Sequence, residues 1–261
     1  MKRAINALKR SKKTPWKKEL SKEDLKKLKN FFHSLELKLK ISFKNKKNLI
    51  SAFCHRSFLN EVKAPFSSYE NLEFLGDAVL SLIVAEYLYS FFQEKKEGEL
   101  SYLRAFLVNR NQLADCAKKL DFDKYLLLSE GEELAGGRKK TSILADIFES
   151  FLGALYLDKG YKICKKFVEE YLISKLLDKI QKEEIKDPKT ILQEKMQKLF
   201  GITPVYKTLK QWGPDHDKSF LVGVFLNEKE IGRGEGHSKK EASEKAAKNA
   251  LELKIWENVE N

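Results

Sequence analysis

The stretch ENLEFLGDAVL, residues 70–80, places three carboxylates inside an otherwise apolar run. The apolar pattern continues to residue 88, which predicts a buried helix. At about 100° per residue, Glu70, Glu73 and Asp77 share one helix face. Two carboxylates about 4 Å apart repel by about 4 kcal/mol at an effective dielectric constant of about 20. A divalent cation would convert that repulsion into binding, so this face is a candidate side of a metal site.

Glu70 also has an explanation that requires no metal. Ser67 or Ser68 is the predicted N-cap of this helix, which places Glu70 in the first turn. Acidic residues are favoured there by the helix dipole. The same explanation does not cover Asp77, because Asp77 lies two turns further along the helix.

A second apolar stretch, SILADIFESFLGALYL at residues 142–157, carries Asp146 and Glu149 three residues apart. Two acidic helix faces in one domain predict a shared metal site. Every candidate ligand is an oxygen, which favours Mg²⁺ or Mn²⁺. Gly76 and Gly153 each cost about 1 kcal/mol inside a helix relative to alanine. Close approach of the two helices would explain both glycines and would bring the acidic faces together.

The composition is typical of a soluble, cytoplasmic protein. The chain has 261 residues, of which 42% are hydrophobic and 34% charged, and this length allows one large domain or two ordinary ones. No apolar run reaches about 18 residues and no apolar signal segment follows the first residues, so we expect no membrane association. The three cysteines are far apart, which is typical of reduced thiols.

The net charge of +12 suggests an acidic partner such as nucleic acid. Residues 1–30 contribute nine of these twelve net positive charges, so the charge is concentrated in one arm. Residues 1–24 are interpreted either as a disordered, solvated arm or as an auxiliary phosphate-binding tail.

The pattern changes near residue 187 to helix, three strands and helix. Asp187 and Pro188 begin the first helix, and the strands are predicted at 205–209, 219–226 and 231–234. The predicted organisation is a basic arm at 1–24, a helical domain at 25–182, a linker at 183–186, an α-β-β-β-α domain at 187–255 and a tail at 256–261.

The last helix begins with a capping box, SKKE at residues 238–241. Its free backbone N–H groups, together with Lys239 and Lys240, form an anion site suited to phosphates. A solvated, well-capped surface helix is the alternative interpretation.

These motifs together resemble the ribonuclease III family of double-stranded-RNA endonucleases. The helical part resembles it through CHRSFLNE (54–61), ENLEFLGD (70–77), EG (97–98) and DIFESFLGA (146–154). The C-terminal part resembles a double-stranded-RNA-binding domain through ILQE (191–194), GPDH (213–216) and GHSKKEA (236–242). The resemblance covers residues 25–255 and leaves the basic arm without a counterpart.

The resemblance implies an all-α endonuclease domain followed by a small α+β (α-β-β-β-α) double-stranded-RNA-binding domain. It also implies a homodimer that hydrolyses phosphodiesters with Mg²⁺, or with Mn²⁺ in its place. The products would carry 5′-phosphate and 3′-hydroxyl ends with two-nucleotide 3′ overhangs. The expected substrates are precursors of ribosomal RNA and other structured transcripts, including messenger and transfer RNA.

The resemblance also implies roles for individual residues. The metal ligands would be Glu73, Asp77, Asp146 and Glu149, with Asp77 and Glu149 as the essential pair. Two further acids, Glu70 and Glu97, would be auxiliary. The RNA contacts would come from Thr190, Gln193, Gln197, His216, Ser238, Lys239 and Lys240.

Some residues depart from the family pattern or leave alternatives open. Asn71 stands where arginine is frequent, and His237 where lysine is frequent. Phe74 is expected either at a dimer interface or in the monomer core, and His55 is interpreted as structural. The rival functions are a regulator that binds double-stranded RNA without cutting it and a DNA-binding or scaffolding protein that acts through the basic arm.

Overall fold

The computed structural model describes residues 17–175, 188–214 and 218–258. The chain forms two compact units, Met1–Gln181 and Lys182–Asn261. The predicted linker at 183–186, the predicted N-cap Asp187 and the loop residue His216 lie outside the described residues.

The first unit is helical, as predicted. Its helices are α1 Lys22–Leu39, α2 Lys46–Ser51, α3 Arg56–Glu61, α4 Glu70–Phe91, α5 Glu97–Leu107, α6 Arg110–Lys119, α7 Glu130–Leu134, α8 Thr141–Lys159 and α9 Tyr161–Val168. Short 3₁₀ turns lie at Phe122–Tyr125 and Gly137–Lys139, and a π-helical turn at Glu169–Ile173 continues α9. Two short strands, β1 Lys18–Glu19 and β2 Val62–Lys63, pair in parallel.

The helical unit begins earlier than residue 25. Ser21 caps α1, because the Asp24 N–H donates to Ser21 Oγ at 3.1 Å and the Ser21 N–H donates to Asp24 Oδ2 at 3.1 Å. Leu20 is buried, and β1 is paired with β2. Residues 18–24 therefore belong to the folded unit, and the interpretation as a disordered arm is wrong for them. The reciprocal capping box is formed by SKED at residues 21–24, in which aspartate takes the position usually held by Glu or Gln.

Helices α4 and α8 pack closely against each other through Gly76 and Gly153. A Cβ atom on Gly76 would overlap the carbonyl oxygen of Glu149, and a Cβ atom on Gly153 would overlap the carbonyl oxygen of Leu72. Only glycine permits backbones to approach this closely. The prediction that these glycines mark a close helix contact is confirmed.

Aromatic side chains hold α8 in place from its buried side. The Phe151 ring centroid lies 5.7 Å from that of Phe43, 6.1 Å from that of Phe53 and 4.9 Å from that of Phe122. Ser150 is fully buried and donates its hydroxyl to the Ala52 carbonyl at 2.5 Å. These contacts fix the rotation of α8 and therefore the direction in which its acidic residues point.

The second unit has the predicted α-β-β-β-α order. Its elements are α10 Pro188–Phe200, β3 Val205–Trp212, β4 Ser219–Leu226, β5 Lys229–Gly236 and α11 Lys239–Leu253. The strands form an antiparallel sheet in the order β3-β4-β5. A 3₁₀ turn at Ile255–Asn258 follows α11. Its Trp256 is 1% exposed and belongs to the core of this unit, so the predicted tail at 256–261 starts inside the fold.

Glycines of β5 allow α11 to lie directly on the sheet. A Cβ atom at Gly232 would lie 2.7 Å from the Ala250 nitrogen, and one at Gly236 would lie 2.8 Å from the Ala242 nitrogen. The structural role of these glycines is therefore this helix–sheet contact.

Candidate metal centre and nucleic-acid interface

Three carboxylates meet where α4 crosses α8. One oxygen from each of Glu73, Asp146 and Glu149 lies within 4.8 Å of the other two. All three side chains are half-buried. The close contact at Gly76 and Gly153 produces this arrangement, because it brings the acidic faces of both helices to one point. Three carboxylate oxygens at this spacing are a donor set that fits a hard divalent cation.

The cluster is electrostatically costly without a cation. Burial, together with the charges of Asp77, Glu73 and Asp146, raises the pKa of Glu149 to about 8. Burial also raises the pKa of Glu73 and that of Asp146 above their usual values. A strongly perturbed carboxylate that faces others of the same charge is typical of a functional site.

Asp77 is exposed and lies beside the cluster. It is not among the three residues whose oxygens converge. Its charge is nevertheless the largest electrostatic contribution, after burial, to the raised pKa of Glu149. The structure thus brings three of the four expected ligands together and places the fourth next to them.

The two auxiliary acids lie outside the cluster. Glu70 is exposed, accepts a hydrogen bond from the Ser68 hydroxyl at 3.0 Å and lies 3.7 Å from Arg56 Nη1. Tyr69, not Ser67 or Ser68, occupies the N-cap position of α4, so the predicted serine cap is wrong. Glu97 begins α5, is exposed and accepts a hydrogen bond from the Ser101 hydroxyl at 2.9 Å.

A polar cavity of about 470 Å³ opens beside the cluster, with Glu73 and Asp146 in its wall. Its rim carries Arg56 and Lys140, and Lys140 also pairs with Glu132 at 2.6 Å. Neither cation was predicted from the sequence to contribute to the site. Arg56 lies inside the CHRSFLNE motif, and that motif could have indicated a role for it. Lys140 lies in no such motif, and only the fold brings it to the cavity.

Three further residues support the cluster or its surroundings. Tyr69 donates its hydroxyl to Asp146 Oδ2 at 3.2 Å. Arg110, at the start of α6, opposes the rise in pKa of all three clustered carboxylates. His55 caps α3 by accepting the Ser57 N–H at 3.2 Å, and burial lowers its pKa. This cap is a structural contact of the kind predicted for His55, which also lines the cavity beside the cluster.

In the second unit, most of the predicted RNA-binding residues lie on two helices. On α10, Gln193 and Gln197 are exposed and Thr190 is half-buried. Lys239 and Lys240 are exposed in the first turn of α11. Ser238 caps that helix by accepting the Glu241 N–H at 3.1 Å, which uses its hydroxyl for the fold.

One face of α4 is apolar and exposed. Phe74 is 82% exposed, so its expected alternative position in the monomer core is wrong. Leu82 and Tyr89 lie on the same side of the helix and are also exposed, at 58% and 74%. By length and composition alone α4 could cross a membrane, a property shared by core helices of soluble proteins. Its Glu73 belongs to the carboxylate cluster, and its glycine contact packs it on α8, so α4 is here a helix of the candidate metal site.

Without divalent cations, we expect thermal stability to fall as pH rises from about 4.5 to about 8. The folded protein retains a proton on Glu149 up to a pKa of about 8, whereas the unfolded chain releases it near the usual value of 4.5. The unfolded state therefore binds fewer protons over this range, and the free energy of unfolding decreases with pH.

The measurement is a series of thermal unfolding curves in EDTA at different pH values. Glu149→Gln removes the titrating group, so its curve should be flatter than that of the wild type. Parallel pH dependences for the two proteins would contradict the raised pKa.

Comparison with known proteins assigns both units to families. Residues 45–176 match the ribonuclease-III-like family model, and residues 188–254 match the double-stranded RNA binding motif. Ribonuclease 3 of Borreliella burgdorferi is 43% identical over 221 residues, covering 85% of this chain and 89% of that protein. Ribonuclease 3 of Enterococcus faecalis is 46% identical over 204 residues, covering 78% and 88%.

A solved structure of the nuclease domain of ribonuclease III from Campylobacter jejuni is 42% identical to the matched part of this chain. It covers 54% of this chain and 97% of that domain, with a TM-score of 0.49. The sequence matches extend across both units at more than 40% identity. This chain belongs to the ribonuclease III family.

Proposed function

We propose that this protein is an endoribonuclease that cleaves double-stranded RNA by metal-dependent hydrolysis of phosphodiester bonds. The observation that carries the proposal is the convergence of Glu73, Asp146 and Glu149 on one point. The C-terminal unit supports the choice of substrate, because it matches the double-stranded RNA binding motif.

The proposed cofactor is Mg²⁺, with Mn²⁺ able to replace it. Glu73, Asp146 and Glu149 would hold the ion, and Asp77 would complete the set from its position beside Glu149. A divalent cation at such a site activates water and stabilises the charge that develops on the phosphate oxygens. The chain contributes a fixed donor set and, at Glu149, a proton that must leave before the carboxylate can bind an ion.

The proposed active form is a homodimer that uses the apolar face of α4. The large apolar side chains on this face, including Phe74, are exposed in the monomer. An interface between two copies of the helix would remove this apolar surface from water. A two-fold dimer suits a duplex of approximate two-fold symmetry. Two sites, one on each strand, would leave two-nucleotide 3′ overhangs with 5′-phosphate and 3′-hydroxyl ends. Glu70 and Glu97 remain proposed auxiliary acids of these sites.

Duplex RNA would be recognised by its shape. A-form RNA presents a shallow minor groove with 2′-hydroxyl groups, which suits the exposed amides of Gln193 and Gln197, with Thr190 at the start of the same helix. His216 is proposed to reach the next minor groove, and Lys239 and Lys240 the phosphates between the two grooves.

The helical unit would add its own contacts with the substrate. Arg56 and Lys140 line the cavity beside the cluster. We propose that they contact backbone phosphates of the strand being cut. Processing of ribosomal RNA precursors, messenger RNA and transfer RNA in the cytoplasm is the proposed cellular role.

The substrate class is tested with three nucleic acids of one sequence: an RNA duplex, a DNA duplex and single-stranded RNA. With Mg²⁺ present we expect cleavage of the RNA duplex only, with 5′-phosphate and 3′-hydroxyl ends. Binding of the RNA duplex without any cleavage would instead indicate a non-cleaving regulator. Equal cleavage of the DNA duplex would contradict recognition through 2′-hydroxyl groups.

Replacing Lys239 and Lys240 together by alanine should weaken duplex binding and reduce its dependence on salt. Each phosphate contact contributes a slope of about 0.9 to the plot of log affinity against log salt concentration. Loss of two contacts should therefore reduce the slope by about 2. The assay is fluorescence anisotropy with labelled duplex RNA in EDTA over a range of KCl concentrations.

The matched control replaces Lys245 and Lys248, on the same helix, by alanine. These lysines are also exposed and pair with Glu241 and Glu252 at 2.7 and 3.9 Å. The control removes the same net charge, so it should leave most of the salt slope intact. Equal slopes for the two double variants would contradict a phosphate site at the start of α11.

A further inference from the structure

Tyr69 is held rigidly between α3 and α4. It occupies the N-cap position of α4, and its backbone N–H donates to the Cys54 carbonyl at 2.9 Å. Its side chain is 5% exposed, and its ring centroid lies 5.8 Å from that of His55. The backbone bond and the ring contact leave the hydroxyl group little freedom of position.

That hydroxyl reaches across the helix contact to the cluster. It donates to Asp146 Oδ2 at 3.2 Å, although the two residues are 77 positions apart in sequence. This bond holds one carboxylate oxygen of Asp146 in a fixed direction.

We propose that Tyr69 is a positioning residue for the metal centre: its hydroxyl fixes the orientation of the Asp146 carboxylate so that the three clustered oxygens are in place before a cation binds. The proposal rests on the proposed function of the cluster. Mg²⁺ requires near-ideal octahedral geometry and tolerates misplaced ligands poorly. Partners that orient a ligand in this way change metal affinity by about 10- to 100-fold when they are removed.

A buried tyrosine with a satisfied hydroxyl could instead serve the fold alone. The two roles differ in what Tyr69→Phe changes. A fold role predicts lower stability with unchanged cation affinity, whereas a positioning role predicts lower cation affinity at any stability. The chain offers a matched control in Tyr125, which is 7% exposed and whose hydroxyl lies 3.0 Å from Ser34 Oγ. Tyr125→Phe removes one buried hydroxyl and one hydrogen bond from the same unit, but none from a clustered carboxylate.

The experiment measures Mn²⁺ binding to the full-length wild type, Tyr69→Phe and Tyr125→Phe by electron paramagnetic resonance, without RNA. We expect the affinity of Tyr69→Phe to be about tenfold lower and that of Tyr125→Phe to equal the wild type. Thermal unfolding in EDTA measures the stability cost of each change separately. Unchanged affinity in Tyr69→Phe, an equal loss in both variants, or no Mn²⁺ binding by the wild type would overturn the proposal.

Duplex cleavage at increasing Mg²⁺ concentrations separates this proposal from the proposed function. We expect Tyr69→Phe to need about tenfold more Mg²⁺ for half-maximal rate and to approach the wild-type rate at saturation. A wild type that binds Mn²⁺ but cuts no duplex RNA would remove the proposed function, while the affinity ratio would still decide the role of Tyr69.

Discussion

Replacing Glu149 by glutamine should reduce the rate of duplex RNA cleavage by about a thousandfold and leave duplex binding nearly unchanged. Loss of this carboxylate removes charge and a ligand from the cluster, and metal ions contribute several kcal/mol to such reactions. About 4 kcal/mol corresponds to a thousandfold change in rate. The predicted contacts with the duplex lie mostly on α10 and α11, so the affinity should survive.

The same substitution should stabilise the protein when no cation is present. Glutamine is nearly isosteric with glutamate and carries no charge, so it removes both the cost of burying the charge and the repulsion that raise the pKa of Glu149. Activity and stability should therefore change in opposite directions, which is typical of residues selected for function.

A matched control is Glu86→Gln, also in the helical unit. Glu86 pairs with Lys165 at 2.7 Å and does not belong to the cluster. The Glu86→Gln protein should retain the wild-type cleavage rate. Single-turnover cleavage and anisotropy measure rate and affinity separately. A Glu149→Gln protein that cuts within tenfold of the wild-type rate would exclude Glu149 as an essential ligand.

Gly76→Ala should lower the free energy of unfolding by about 3 kcal/mol and also impair cleavage. The added methyl group would overlap the Glu149 carbonyl oxygen, a backbone atom that no side-chain rotation can move. Overpacking of this kind costs about 1–3 kcal/mol and occasionally more. Relief requires α4 and α8 to separate, and that movement would pull Glu73 away from Asp146 and Glu149.

Gly98→Ala is the natural control for this substitution. Gly98 lies in the first turn of α5, and a Cβ atom there would have no other atom within 4 Å. Alanine should be neutral or stabilising by up to about 1 kcal/mol, because it favours the helix. Urea unfolding monitored by circular dichroism compares the two variants. Similar stabilities for Gly76→Ala and Gly98→Ala would contradict the tight contact between α4 and α8.

Periodic patterns made much of this molecule predictable from its sequence. The two acidic helices and the α-β-β-β-α order follow from local repeats of apolar residues, which report which face of each element is buried. Gly76 and Gly153 indicated a close helix contact, because a glycine inside a helix lowers the stability of that helix. A tertiary contact that needs the small residue explains why it is there. These patterns predict that the two acidic faces meet, and in the structure the carboxylates of Glu73 and Asp146 lie in one cluster.

What the sequence could not reveal depends on contacts between distant segments. Spacing alone places Asp77 on the same face as Glu73, but the rotation of α4 against α8 leaves it exposed beside the cluster. The bond from Tyr69 to Asp146 and the approach of Lys140 to the cavity join residues that are far apart in sequence. Trp256 looks like part of a tail, because no periodic pattern surrounds it to indicate burial.

The most direct measurement follows cleavage of one RNA duplex by the wild-type protein in Mg²⁺, in EDTA, and in EDTA followed by excess Mg²⁺. If the carboxylates at the crossing of α4 and α8 work through a bound cation, cleavage will occur in Mg²⁺, stop in EDTA and return when Mg²⁺ is restored. Cleavage that persists in EDTA, or that is absent in all three conditions although the duplex is bound, would contradict a metal-dependent ribonuclease.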